Sequence, residues 1–547
     1  MAKQTSFSLS GQIVDVVNRK IIPGKVFVRD GKISAVVEDP MAKGPWIMPG
    51  LIDAHVHIES SMLIPSEFAR LAVVHGTVGS ISDPHEIANV LGLEGIEFMI
   101  RNGKKSPFRF YFGAPSCVPA TTFESSGAAI GTKDIGSLLQ MEEIRYLAEM
   151  MNFPGVIHGD KEVTKKIDLA KKYGRVIDGH APGLTGPELK NYAAAGITTD
   201  HECFTKEEAL EKIALGMKIL IREGSAAKNF DALIGLMANH PESLMLCSDD
   251  KHPDDLIKGH INQLVKKALK QGYDLFDVLR SATLNPKVHY GLSNGLLQPG
   301  DPADMMVVDN PGDFNVLQTF IEGELAAENG KSFLHAVKED TPNRFFCKPV
   351  SPAQLHVPAR SDKIKVIQAL DGQLITKTKI LSAKTEGEAL VSEPERDILK
   401  LVALNRYNAG SKPSVAFLNG FGLKKGAIAS TVAHDSHNIL AVGTNDRDLS
   451  RAINLLVENR GGIALANGDK ENILPLPVAG IMTHEDGYKT AMLYQKLDKE
   501  AKALGSPLAA PFMTLSFMAL LVIPELKLSD KGLFDAKSFE LTSLYVE

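Results

Sequence analysis

Between Leu51 and about residue 290 the chain repeats one unit, a short apolar run followed by an amphipathic stretch, and this repetition limits the possible folds more than any other feature. Candidate strands end near His57, Ser82, Ser116, Glu149, Asp178, Thr199, Arg222 and Ser248. Helical stretches lie between them, among them SEFARLAVVHG, EIANVLGLEGIEFMIRNG, KEVTKKIDLAKKYG, TGPELKNYAAAG and TKEEALEKIALG. Several end in glycine, the residue that most easily takes the left-handed turn at a helix C-terminus. Eight strand–helix units over about 240 residues have the count and length of a (β/α)8 TIM-like barrel. A doubly wound open sheet is the structural alternative, but its usual strand count is lower.

The flanks read differently. At 547 residues the chain is too long for one ordinary core, so two or three domains are expected. The first fifty residues carry short β signals, GQIVDVV and GKVFVRDGKISAVVE, with Asp30-Gly31 as a hairpin turn. GLLQPGDPADMMVVDN returns to the same pattern. The expectation is an α/β barrel at 50–296 inserted into a small β domain formed by 1–49 and 297–345. A C-terminal α+β domain then covers 346–547, with strands such as KIKVIQAL and QLITKTKIL and the helix DRDLSRAINLLVENRG. No repeat of fixed period and no low-complexity segment is visible.

The stretch IMPGLIDAHVHIESSM sets His55 and His57 two residues apart where an apolar strand ends. In an extended chain Leu51, Asp53, His55 and His57 share one face, and Ile52, Ala54 and Val56 the other. Two imidazoles on one face suit a metal, but the pair alone fits a hydrogen-bonded histidine pair equally well. The other strand ends decide. Barrel active sites lie at the C-terminal ends of the strands, and there stand Asp83, His85 and Glu86, then Ser116 and Cys117, Glu149, His180, His201 and Glu202, Arg222, and finally Asp249 and Asp250. His55, His57, His180, His201, Glu149 and Asp249 converge on one mouth if the barrel forms, enough for two divalent ions with Glu149 as the bridging carboxylate.

Composition removes other classes. The net charge of −6 gives no reason to expect nucleic acid or an anionic membrane as partner. The apolar run FMALLVIP is too short to span a bilayer, and the N-terminus shows no export signal. Four scattered cysteines form no CxxC and suit a reducing cytoplasm, so a metal site must use His, Asp and Glu. His57-Ile58-Glu59 fits the H-x-E of cytidine-deaminase zinc sites, but the P-C-x-x-C partner is missing. Gly420, Gly422 and Gly426 miss the dinucleotide fingerprint by one residue, and there is no P-loop lysine motif.

PGLIDAHVH and GDPADMMVVD resemble the opening and closing segments of the amidohydrolase superfamily. Within it, DPHEIANVLG, PSCVPAT, EMMNFPGVI, DGHAPGLTG, TDHE, CSDDKHPDD, VAHDSHN and GGIALANG resemble bacterial adenine deaminases, almost from end to end. The resemblance implies a cytoplasmic purine-salvage enzyme that turns adenine and water into hypoxanthine and ammonia at a binuclear Mn²⁺ or Fe²⁺ site. It implies a glutamate at the bridging position, where many relatives use a modified lysine. Asp249 is then expected to orient the attacking hydroxide and shuttle its proton. Glu202 is expected either to protonate N1 of adenine or to hold a ligand imidazole. Asp250 is expected to bind the purine edge, with His85 and Ser116 lining the pocket. His434 and His437 are expected on a loop closing over the mouth, with metal binding on a helix as the lesser reading. Adenine is the expected partner, and a homodimer is left open. The alternative is another amidohydrolase acting on a cyclic amide or a different aminopurine.

Overall fold

The computed structural model describes residues 6–546. Eight parallel strands follow one another in chain order: β1 (Leu51–Val56), β2 (Thr77–Ser82), β3 (Arg109–Ala114), β4 (Ile144–Met150), β5 (Val176–Gly179), β6 (Thr199–Asp200), β7 (Lys218–Arg222) and β8 (Leu244–Cys247). β1 to β5 form one ladder and β6 to β8 another. The Thr198 amide bonds the Ile177 carbonyl at 2.9 Å between the two ladders. A parallel bridge between Val56 and Asp249 joins the last strand to the first, so the sheet curls back on itself as a TIM-like α/β domain.

Two apolar layers hold this curl. Ile52, Ala54, Ile81, Tyr111, Tyr146, Ala148, Leu220, Met245 and Cys247 pack together inside it. Leu51, Ile219, Ile221, Leu244 and Leu246 pack outward against helical residues such as Leu264, Val265 and Val278. The helices follow the expected stretches, with one difference. The EIANVLGLEGIEFMIRNG run is two helices, His85–Leu91 and Leu93–Gly103, not one. The break is Gly92, at φ 69° and ψ −140°, a backbone conformation that side-chain-bearing residues avoid.

Strands Ser6–Asp15, Lys20–Arg29, Lys32–Glu38 and Trp46–Pro49 share one sheet with four strands from the segment after the barrel. The junction is the antiparallel pairing of Met305–Val308 with Trp46–Pro49. Asp30 and Gly31 turn the hairpin with φ of 49° and 78°.

A second eight-stranded sheet lies beyond residue 360, backed by the helix Asp446–Asn459. It is not on a tether. Val56, Met62, Leu63 and Phe68 of the barrel belong to the same apolar cluster as Phe421, Leu476, Met482 and Phe517, and Leu63 pairs with Thr483 in a parallel bridge. A shared core fixes this sheet over the strand ends, where the site lies. Among the described residues, no helix is long and apolar enough to cross a membrane.

Candidate active site

Strict alternation along β1 would leave His55 and His57 on the face of Leu51. The strand departs from it. Its pairing with β2 shifts register between Asp53 and Val56, and β4 shifts against β5 between Leu147 and Met150. Such irregularities re-aim the side chains that follow, and here His55, His57 and Glu149 reach one centre. Asp53 anchors the arrangement. Its carboxylate accepts from the Ser248 amide at 2.9 Å and from the Ser248 hydroxyl, and lies 2.8 Å from His260 Nε2. This ties β1 to the residue before Asp249. Asp249 itself has a left-handed φ of 52°, uncommon without glycine, and its amide bonds the His55 carbonyl at 2.9 Å.

His55, His57, Glu149, His180, His201 and Asp249 are all at least nine-tenths buried. Glu149 is central. Its Oε1 lies 3.2 Å from His57 Nε2, while its Oε2 lies 2.8 Å from His180 Nδ1 and 3.1 Å from His201 Nε2. Asp249 Oδ1 lies 3.4 Å from His57 Nε2 and 3.9 Å from His55 Nε2. One carboxylate thus turns an oxygen to each side, as a bridge between two ions requires.

The electrostatics show what the centre attracts. Burial pushes the Glu149 carboxyl up, but His180 and His201 outweigh it and hold the group well below the usual carboxylate range. Burial is likewise outweighed at Asp249, by Arg222, His201 and His55. Burial lowers His201 too, yet Glu149 and Asp249 lift it to about 9. The carboxylates therefore draw positive charge inward. Protons or divalent cations satisfy that pull, and the donor set favours cations. His57 Nδ1–H donates to the Asp83 carbonyl at 3.2 Å, which leaves Nε2 as the nitrogen facing Glu149 and Asp249. The His55 and His57 Nε2 atoms are 3.2 Å apart, and two N–H groups cannot point at each other. Burial, with His201 and His57 nearby, holds His55 well below the usual imidazole value, the neutral form that ligates metals. Ligand atoms of His55, His57 and Asp249, and of His55, Glu149 and His201, lie within 4.8 Å of one another. Imidazole nitrogens with carboxylate oxygens suit a divalent ion such as Mn²⁺, Fe²⁺ or Zn²⁺. The residues fit.

The other expected residues surround this centre. Glu202 is clamped by Arg222 through two bonds of 2.6 and 2.9 Å, and its Oε1 stands 3.5 Å from His201 Nε2. Asp250 Oδ1 accepts from the Ser60 hydroxyl at 2.5 Å. His85 Nδ1 lies 3.1 Å from Asp83 Oδ2 and 3.4 Å from Glu149 Oε1. The Ser116 hydroxyl donates to the Glu149 carbonyl at 2.5 Å. His434 and His437 sit in a turn between the strands Ala427–Ser430 and Ile439–Gly443, not on a helix, and both reach Glu86 in the barrel.

Residues 46–326 match the amidohydrolase family, and residues 373–540 match the adenine deaminase C-terminal domain. The chain is 53% identical over 543 residues to the adenine deaminase of Salinibacter ruber, covering 99% of each chain. It is 54% identical over 532 residues to that of a Sulfurovum species, covering 97% of this chain and 98% of the relative. The adenine deaminase of Methanosarcina acetivorans is 52% identical over 548 residues, covering 98% and 99%. The chain belongs to the adenine deaminase family.

Several groups of this adenine deaminase family member were not singled out by sequence reasoning. Arg222 stood among the strand-end residues without a role, yet it bonds both Glu202 and Asp249 Oδ2. His260 and Asp435 had no strand-end position to mark them. Glu124, in the loop after β3, is buried with its Oε2 unbonded. Burial and the nearby Asp435 raise its carboxyl from the usual 4.5 to about 8. Between those values the folded state holds a proton that the unfolded state has lost, so this group's contribution to stability falls as pH rises through the window. Glu124→Gln removes the ionisation. Its melting temperature is expected to gain on wild type as pH rises from 6 to 9. A variant that loses ground at pH 9 relative to pH 6 would contradict the assignment.

Proposed function

We propose that this chain is a metal-dependent adenine deaminase, hydrolysing adenine to hypoxanthine and ammonia. The observation that carries the reading is Glu149, with one oxygen toward His57 and the other toward His180 and His201, in a chain similar to adenine deaminases along almost its whole length. His55, His57 and Asp249 would hold one divalent ion and His180 and His201 a second, with Glu149 offering one oxygen to each side. We propose Mn²⁺ as the ion, with Fe²⁺ as the alternative. When bound, such ions make hydroxide available at neutral pH by lowering the pKa of water.

The chain's own residues do the rest. Attack at C6 breaks the aromaticity of the ring, so N1 must gain a proton as the tetrahedral centre forms. Asp249, an ionised carboxylate beside the centre, orients the nucleophile and accepts its proton. Glu202, reaching toward His201 and His180, takes up the proton that water releases in becoming hydroxide and passes it to N1. The amino group leaves as ammonia after taking up a proton from Asp249. Asp250 takes the purine edge, and His85 and Ser116, both against Glu149, line the pocket. The C-terminal domain covers the mouth and excludes water, which strengthens every charge interaction inside. The setting is purine salvage in the cytoplasm.

Purified protein loaded with Mn²⁺ is expected to release ammonia from adenine, matched by loss of adenine absorbance. A sample shown to hold two metals per chain but unable to turn over adenine would eliminate adenine as substrate while leaving a hydrolase. Cyclic amides and other aminopurines would then be screened.

A further inference from the structure

Glu86 and the turn that carries His434 and His437 lie 348 and 351 residues apart in sequence, on the barrel and on the C-terminal sheet. All three side chains are buried. Two imidazoles on one carboxylate would read as a further metal site, but the tautomer of His437 argues against it. The Ala433 amide donates to His437 Nδ1 at 3.2 Å, so the ring's hydrogen is on Nε2, which donates to Glu86 Oε2. A nitrogen that carries its hydrogen is not a metal ligand. Glu86 is therefore a hydrogen-bonded anchor. One oxygen takes His437, and the other takes His434 Nδ1.

This leaves His434 Nε2. Burial lowers His434, but Glu86 and Asp250 outweigh it and lift the group to about 9, so the ring is an imidazolium with hydrogen on both nitrogens, Nδ1–H toward Glu86 and Nε2–H free to donate. His434 Nε2 makes no hydrogen bond among the described residues, and the nearest carboxylate oxygen, Asp250 Oδ1, is 3.8 Å away, too far for one. The ring cannot turn to improve the contact. Glu86 fixes one edge, and Phe517 stacks on its face at 5.5 Å and 29°. Asp250 is held by Ser60 and follows directly after Asp249, whose carboxylate faces His57. A rigid donor and a rigid acceptor thus stand side by side next to the metal centre, too far apart to satisfy each other.

We propose that His434 is a substrate-contacting residue supplied by the C-terminal domain, its Nε2–H donating to N3 of adenine while Asp250 accepts from N9–H. Adenine has one edge on which a ring nitrogen lone pair and a ring N–H are adjacent, N3 with N9–H, and this edge matches the pair. Glu86 is a positioning residue that acts through His434. The proposal rests on adenine being the substrate.

The test compares adenine with 3-deazaadenine, which has C–H in place of N3, on Mn²⁺-loaded wild type, His434→Ala and His434→Gln. KM is read for adenine and an inhibition constant for the analogue, with metal content beside them. Wild type is expected to hold adenine at least about tenfold more tightly than the analogue. In His434→Ala that preference falls to about one, because the partner of N3 is gone, while two metals per chain remain. His434→Gln, which keeps an N–H donor, recovers part of it. The ratio is taken within each variant, so a partly folded sample does not disturb it. A preference that persists in His434→Ala, or is absent from wild type, overturns the proposal. A wild type with two metals that does not act on adenine instead fails the reading on which the proposal rests.

Discussion

Glu149→Gln is expected to lower kcat/KM for adenine by at least about a thousandfold and to bring the metal content from two ions per chain to one or fewer. An amide keeps the size of the group but has one acceptor oxygen instead of two. Glu149 uses both, Oε1 toward His57 and Oε2 toward His180 and His201. Gln would turn its NH2 group toward one of these two sides, where a hydrogen replaces a lone pair and no cation can share the ligand. The variant also removes the charge that lifts His201 to about 9, so the imidazoles lose the attraction that gathers positive charge here. Metal analysis on the same preparation as the kinetics separates the two effects. Two tightly held ions in an inactive Glu149→Gln protein would mean that this residue is not the bridge.

Where the centre would form was legible because its residues come from a local pattern repeated eight times. Each apolar run ends at a polar residue, and the barrel brings those ends to one mouth. His180 and His201 needed no long-range information beyond strand count. The errors came where geometry is set by pairing. Period-two reasoning assigned His55 and His57 to the face of Leu51, but register shifts in β1 and β4, set by neighbouring strands, decide where those side chains point. The helix break at Gly92 was readable in principle, since glycine inside a helical run is a weak point, but a run with apolar periodicity on both sides hid it. Contacts between distant segments could not be read at all. Nothing in VAHDSHN says that its two histidines share a carboxylate 348 residues earlier; only the joint core of barrel and C-terminal sheet puts them there.

Arg222 makes the same point and gives the second large effect. One guanidinium bonds Glu202 twice and Asp249 Oδ2 as well, all of them buried. Breaking a buried pair by removing one partner leaves an uncompensated charge and typically costs about 3–5 kcal/mol. Arg222→Met leaves two, so a marked loss of stability is expected on denaturant unfolding. The chemistry should suffer separately. Burial favours protonated Asp249, and Arg222 is the first of the groups that outweigh it. Asp249 works as an ionised base, so activity is lost as pH falls through its folded pKa, and without Arg222 that pKa rises. The acid limb of the kcat profile is therefore expected to move to higher pH in Arg222→Met, with kcat at its plateau lowered by about 10–100-fold, as when a group supporting a metal ligand is removed. Arg222→Lys keeps one charge but cannot span both carboxylates, because a single ammonium lacks the planar fork. It should recover stability more than it recovers the acid limb. If Arg222→Met shifts only stability and leaves the limb in place, Arg222 holds the barrel together without tuning Asp249.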